Sequence, residues 1–240
     1  MNLAVFTCIT SNYDSVKIPQ VDISEVPFFC FTDSPSSIPE PWIARPLENC
    51  GLKKAELNRY VKMHAHLMLP EFDSTVYLDG SIQVLDDFIP VALQTLSNKG
   101  DLFLYEHPER NCVYLEAIAC AHHGYEWAWI IARQMKRYAR EGLPRSFGLY
   151  QGNLIIRRNR ARVNTFMEQW WQEYCTGVRR DQLALPYVQW KTNFHIHSLG
   201  KSHFRLTNKY FRVEKHLGEN RYHNVMKKFI NRLILAFRSS

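Results

Sequence analysis

Three features of this 240-residue chain predict an α/β fold built on a mainly parallel central sheet. Two near-continuous apolar runs, Leu3–Ile9 and Phe28–Thr32, have the composition of strands covered on both faces, because a strand with one wet face alternates instead. Stretches of helical periodicity separate these runs from further short strands, the order expected when parallel strands are joined by crossovers. The hydrophobic content of 46% and the lack of any repeat or low-complexity linker fit one domain with a proper core.

The first ten residues carry no basic segment, and their apolar run is too short for a signal peptide or a membrane span, so they read as the opening strand. After Phe28–Thr32 the pattern turns helical over residues 53–68 and stops before Pro70. On that helix Arg59, Lys62 and His66 share one face, with Leu57, Val61 and Met68 roughly opposite. The cationic face is open to two readings, solvation or contact with an anion. Ser74–Leu78 is a short strand running into the turn Asp79-Gly80-Ser81. Residues 103–106 form a strand, 116–140 one long helix closed at Gly142 and Pro144, and 152–157 another strand. Val163, Phe166, Met167, Trp170 and Tyr174 repeat at helical spacing and belong to the core.

The formal charge of +7 has a particular address. From residue 205 onward there are nine Lys or Arg against Glu214 and Glu219, and nine minus two accounts for the whole excess. A domain over residues 1–204 and a basic appendage over 205–240 follow. Residues 222–237 place Val225, Phe229, Leu233 and Phe237 four apart, with Met226 and Ile230 beside them and Lys227, Lys228, Asn231, Arg232 and Arg238 over much of the remaining surface. Such a basic amphipathic helix either lies on an anionic membrane surface or docks as a last core helix. A charge excess confined to one tail argues against a nucleic-acid groove across the protein. The six cysteines, Cys8, Cys30, Cys50, Cys112, Cys120 and Cys175, form no C-x-x-C pair and mostly sit in apolar surroundings. They read as buried thiols in a reducing, cytoplasmic compartment, with no zinc site.

Asp79 is the residue whose position carries most chemistry. In an open α/β sheet ligands collect outside the carboxyl ends of the strands, and a carboxylate there can hold Mg²⁺ or Mn²⁺ against a diphosphate. The same residue also suits simple turn chemistry. Thr10, Tyr13 and Asp33 follow the first two strands at that same end, where they serve either a nucleoside or their own loops.

Five segments then occur in a telling order: Phe28-Phe29-Cys30-Phe31-Thr32-Asp33, Lys62-Met63-His64 leading to Leu69-Pro70, Tyr77-Leu78-Asp79-Gly80-Ser81, His107-Pro108-Glu109-Arg110, and Arg180-Asp181-Gln182. Together they resemble a glycosyltransferase-like family, long catalogued as a domain of unknown function, with plant cell-wall and mucilage members and bacterial polysaccharide members. The likeness covers residues 1–188, each motif being weak alone and the ordered set stronger.

The resemblance implies a GT-A-like domain, a nucleotide-sugar donor, a glycan or lipid-linked acceptor, and Mn²⁺ or Mg²⁺. It implies that Asp79 is a metal ligand and that Ser81, standing where the family's Asp-x-Asp element has its second acid, is a second one that binds weakly or through water. His197-Ser198-Leu199-Gly200-Lys201 is similar to a segment of family-eight glycosyltransferases, which makes His197 a third metal ligand and Lys201 a phosphate contact. Solvated positions for His195 and His197 are the alternative. Arg59, Lys62, His107 and Arg110 become donor-binding residues, with Glu116 near the last two. Asp181 and Gln182 fall beside the reacting sugar, where the carboxylate orients the acceptor, acts as base or stabilises a cationic transition state, with retention of configuration as the lean. Asp181 also suits a helix N-cap. A binding module of the same fold, with turnover lost along with the second Asp, is the alternative function.

Overall fold

The computed structural model describes residues 2–10, 14–22, 25–47, 51–52, 54–201, 203, 207–214 and 221–238. The strands are β1 (Leu3–Ile9), β2 (Phe28–Thr32), β3 (Trp42–Pro46), β4 (Ser74–Leu78), β5 (Ile82–Val84), β6 (Leu102–Glu106), β7 (Tyr150–Arg158), β8 (His197–Lys201) and β9 (Phe211–Val213). The helices are α1 (Lys54–Met63), α2 (Ala65–Met68), α3 (Ile89–Ser97), α4 (Val113–His122), α5 (Ala128–Glu141), α6 (Ala161–Thr176), α7 (Asp181–Thr192) and α8 (Arg221–Arg238).

Seven strands make one sheet in the order β3-β2-β1-β4-β7-β6-β8, and β5 pairs with β9 apart from it. Only β7 runs against its neighbours; the other six strands are parallel, as expected from the apolar runs. β1 shows why its run is continuous. Ala4, Phe6 and Cys8 point into the core shared with α1, α2 and α4 to α7, while Leu3, Val5 and Ile9 point into the core shared with α3, β5 and β9. Every residue of β1 is therefore buried. The stripe on α6 is core as expected, with Trp170 wholly buried, which stabilises the fold by roughly 1.5–3 kcal/mol for a side chain of this class.

Three boundaries differ from the sequence reading. The helix expected over 116–140 is two helices, broken around Gly124, whose φ of 69° places it in the left-handed region that favours glycine. The helix expected over 53–68 breaks at His64, with Lys53 outside the described residues. The division expected after residue 204 is crossed by β9, which pairs with β5 and buries Phe211 in the second core. α8 also docks on the domain, and Asn231, expected on the outer surface of that helix, is wholly buried instead: its side chain accepts from the Ala128 N–H at 2.9 Å and donates to the Ala121 and Glu126 carbonyls at 2.8 Å. Cys8, Cys30, Cys112, Cys120 and Cys175 are free thiols, the first four of them buried; Cys50 lies outside the described residues.

Candidate active site

A cleft of about 650 Å³ opens at the carboxyl ends of β1, β4 and β6 and the facing part of β7. The strand order puts it there: β4 and β1 are adjacent parallel neighbours, so the loops leaving Ile9 and Leu78 diverge side by side. Thr10, Arg59, Lys62, Asp79, His107, Asp181 and Gln182 all line this cleft, which brings together seven residues drawn from five separate segments of the chain.

Asp79 sits just past β4, and its N–H donates to the Asn153 carbonyl at 2.8 Å, prolonging the β4–β7 ladder by one bond. The buried Tyr77 hydroxyl donates to Asp79 Oδ1 at 3.0 Å and fixes the carboxylate. Burial first, and the Asp79 charge second, push the Tyr77 phenol well above its usual value, so it remains a donor. Asn153 also lines the cleft, and its buried Oδ1 has no hydrogen-bond partner. A buried unpaired amide oxygen costs roughly 1–3 kcal/mol, which a ligand at that atom recovers. A carboxylate and an amide oxygen are hard donors of the kind Mg²⁺ and Mn²⁺ use when substrate phosphates and water complete the shell. The residues present therefore fit such an ion, although no cluster of three or more His, Cys, Asp or Glu arranged for a metal occurs among the described residues.

The floor of the cleft is a buried ion triad. Asp181 accepts from Lys62 Nζ in a very short contact, and Arg59 Nε lies 3.3 Å from the same carboxylate oxygen. Lys62 is only 2% exposed, seated 5.3 Å from the Trp170 ring and 5.5 Å from the Tyr77 ring. Gly152 makes room for it, since a Cβ there would lie 2.7 Å from Lys62 Nζ. Burial alone raises the Asp181 pKa, yet Lys62 and Arg59 hold it far below the usual carboxylate range. Burial pulls Lys62 below the usual lysine value, with Asp181 opposing that shift. The helix-cap reading of Asp181 fails on this geometry: Arg180 holds the cap position, no side chain caps α7, and the carboxylate faces cations. The solvated reading of the cationic face fails for Lys62, which is buried, and for Arg59, which is half-buried against Asp181, whereas the half-buried His66 lies past the break at His64 and outside the cleft.

His107 Nδ1 accepts from the Glu109 and Arg110 N–H groups at 3.2 and 3.0 Å, while Nε2 lies between Glu116 Oε2 at 3.6 Å and Arg110 Nη2 at 3.4 Å. Burial lowers its pKa, with Glu116 opposing. Arg110 does not line the cleft; its Nε donates to Glu116 at 2.7 Å and it braces His107 from behind. Gln182 Nε2 donates to the Tyr150 carbonyl at 3.3 Å. Arg180, which the sequence reading left without a role, lines the cleft with its guanidinium 4.2 Å from the Tyr125 ring.

Other expected residues fall elsewhere. His197 opens β8 and pairs with Phe103, which pairs with Ile156 and so lies level with Val76. It therefore occupies the amino-terminal half of the sheet, three strands from β4, packed against Gly100 and Phe103. At roughly 4.8 Å per strand this separation alone exceeds any metal–ligand bond, so His197 is no partner of Asp79. Ser81, expected as a weak metal ligand, is buried outside the cleft lining and so does not join Asp79 there; its carbonyl accepts from the Glu214 N–H at 2.8 Å. Lys201 ends β8 at the cleft end of the sheet but is exposed and outside the lining, as is Asp33 at the end of β2. Tyr13 lies outside the described residues.

The fold is similar to that of mouse xyloside xylosyltransferase 1 in its apo form, with a TM-score of 0.50 at 8% identity, over 83% of this chain and 85% of that one. The architecture is thus that of a mixed α/β glycosyltransferase structure. Residues 49–216 match the family described as TOD1/MUCI70, glycosyltransferase-like domain, and the chain belongs to that family. Comparison with curated proteins found no match.

Proposed function

We propose that the protein is a glycosyltransferase that moves a sugar from a nucleotide-diphosphate donor to a glycan or lipid-linked acceptor, working as a peripheral protein in a reducing, cytoplasmic setting. The observation that carries this reading is one cleft that holds a strand-end carboxylate at Asp79 and a cationic floor of Arg59 and Lys62 about Asp181. Asp79, with the Asn153 amide oxygen, would hold Mn²⁺ or Mg²⁺. Such an ion neutralises the charge of a departing diphosphate. Arg59, Lys62 and Arg180 surround Asp181 three to one, so that end of the cleft would suit phosphate oxygens, while Asp14 and Asp79 line the rest. Thr10, which lines the cleft at the end of β1, would meet the nucleoside, with Asp33 on the rim beyond the lining, and Gln182, anchored to the Tyr150 carbonyl, would lie beside the sugar.

Of the three roles open to Asp181, its pairing favours electrostatic support of positive charge developing on the sugar. A carboxylate held this far below its usual range is a poor proton acceptor near neutral pH. Retention of configuration is consistent with this arrangement and belongs to the same proposal.

Thermal melts with UDP, GDP, ADP and CDP, each with Mn²⁺ or with EDTA, test donor binding. One nucleotide should raise the melting temperature with Mn²⁺ only, by several degrees at saturating ligand, since roughly 100-fold excess over Kd stabilises the native state by about 2.7 kcal/mol. Identical melts under all eight conditions would remove the cleft from nucleotide chemistry.

A further inference from the structure

α8 is held by one face and presents another. Asn231, wholly buried, ties it to the connection between α4 and α5, while Lys227 pairs with Glu126 of that connection at 3.3 Å. The face turned away from this seam carries Val225, Met226, Phe229 and Leu233, with Phe229 64% exposed. These are most of the residues whose four-residue spacing marks the tail; the side chain of Phe237 lies outside what the structure describes. Lys228 and Arg232 flank them on the helix. A helix that needed only to cap the core would not put its largest apolar groups in water.

The neighbouring helices repeat the pattern. α4 exposes Ile118 and α5 exposes Trp129, and the polar positions exposed along α5 include Arg133, Lys136 and Arg140. A hollow of about 560 Å³, lined mainly by apolar side chains of α4 and α5 with Lys136 and Arg145 among them, opens beside Leu235 of α8. No helix among the described residues is long and apolar enough to cross a membrane.

We propose that the outward faces of α4, α5 and α8 form one monotopic docking surface for an anionic lipid bilayer. Large apolar side chains enter the acyl boundary, and the surrounding lysines and arginines meet lipid phosphates. Charge complementarity selects this occupant: exposed cations frame the apolar face, whereas Glu126 and Glu141 nearby are already paired with Lys227 and Lys191. The surface also has a bearing on the acceptor. Tyr125, which lines the cleft, belongs to the α4–α5 connection that Asn231 grips, so docking here brings the cleft rim to the bilayer and within reach of a lipid-linked acceptor. That consequence rests on the proposed transfer reaction; the docking itself does not.

Co-sedimentation of the full chain with phosphatidylcholine vesicles, with and without phosphatidylglycerol, reads the docking without any donor. The protein should pellet with the anionic vesicles alone, and less as salt rises. Phe229→Asp, Met226→Asp and Ile118→Asp should each weaken this about tenfold or more with unchanged melting, because each sets a charge where an apolar group enters lipid. Wild-type partitioning by Ile118→Asp would overturn the three-helix surface in favour of α8 alone. Failure of the intact protein to bind anionic vesicles would overturn docking altogether. So would a dimer by light scattering that Phe229→Asp converts to monomer, since a second copy would then cover the face.

Discussion

Asp181→Asn should destabilise the protein by about 3–5 kcal/mol and abolish sugar transfer. The stability loss follows from removing one member of a buried ion group: Lys62 and Arg59 keep their charges but lose the carboxylate that offsets their desolvation. Asparagine still offers Lys62 an acceptor, so part of the hydrogen bonding survives and the fold persists under mild conditions. Adding Lys62→Met should recover part of the loss by removing the stranded ammonium, a non-additivity that double-mutant cycles measure directly. The pH dependence has a definite sign. The native Asp181 pKa is depressed, so its contribution is complete above the unfolded aspartate value of roughly 3.9 and fades as pH falls from there toward the native value. Chemical denaturation across acidic pH should therefore show a steeper loss for wild type than for Asp181→Asn. Equal slopes and equal stabilities would mean that the triad is not formed.

The second large effect belongs to Asp79. Asp79→Asn should leave the melt nearly unchanged, since the Tyr77 hydroxyl finds an acceptor in the amide and the backbone bond to Asn153 does not involve the side chain. Nucleotide affinity measured by calorimetry in Mn²⁺ should fall roughly 100-fold or more, because losing a metal-binding carboxylate exceeds the 10–100-fold typical of losing a group behind one. Without metal, wild type and variant should bind alike. Equal affinity in Mn²⁺ would take Asp79 out of the site.

These two residues mark what local pattern can and cannot reveal. The sheet was readable because doubly buried strands leave continuous apolar runs, and Asp79 because a carboxylate ending such a run has few places to go but the ligand end of the sheet. Lys62 was misread as potentially solvated because its partner lies 119 residues away, and no local spacing encodes a pair closed by tertiary packing. Asn153 was invisible for a related reason. A single amide in an antiparallel strand carries no motif, and only the register of β7 against β4 sets it beside Asp79. His197 erred in the other direction. Its segment has the right letters, but the edge pairing of β8 with β6 starts at that histidine and leaves Lys201 four residues on at the cleft end. The break at Gly124 was missed because apolar periodicity continues across it on both sides, so that only the glycine itself marked the turn.

The central claim is that this cleft cleaves a nucleotide sugar with the help of a divalent ion at Asp79. Release of free nucleoside diphosphate from a panel of nucleotide sugars, followed with Mn²⁺ and with EDTA for wild type and Asp79→Asn, tests it most directly. The account predicts release from at least one donor by the wild-type protein in Mn²⁺, with none in EDTA and none from the variant. Tight, metal-dependent nucleotide binding without release from any donor, even with acceptor glycans present, would contradict it and leave a sugar-nucleotide binding module in its place.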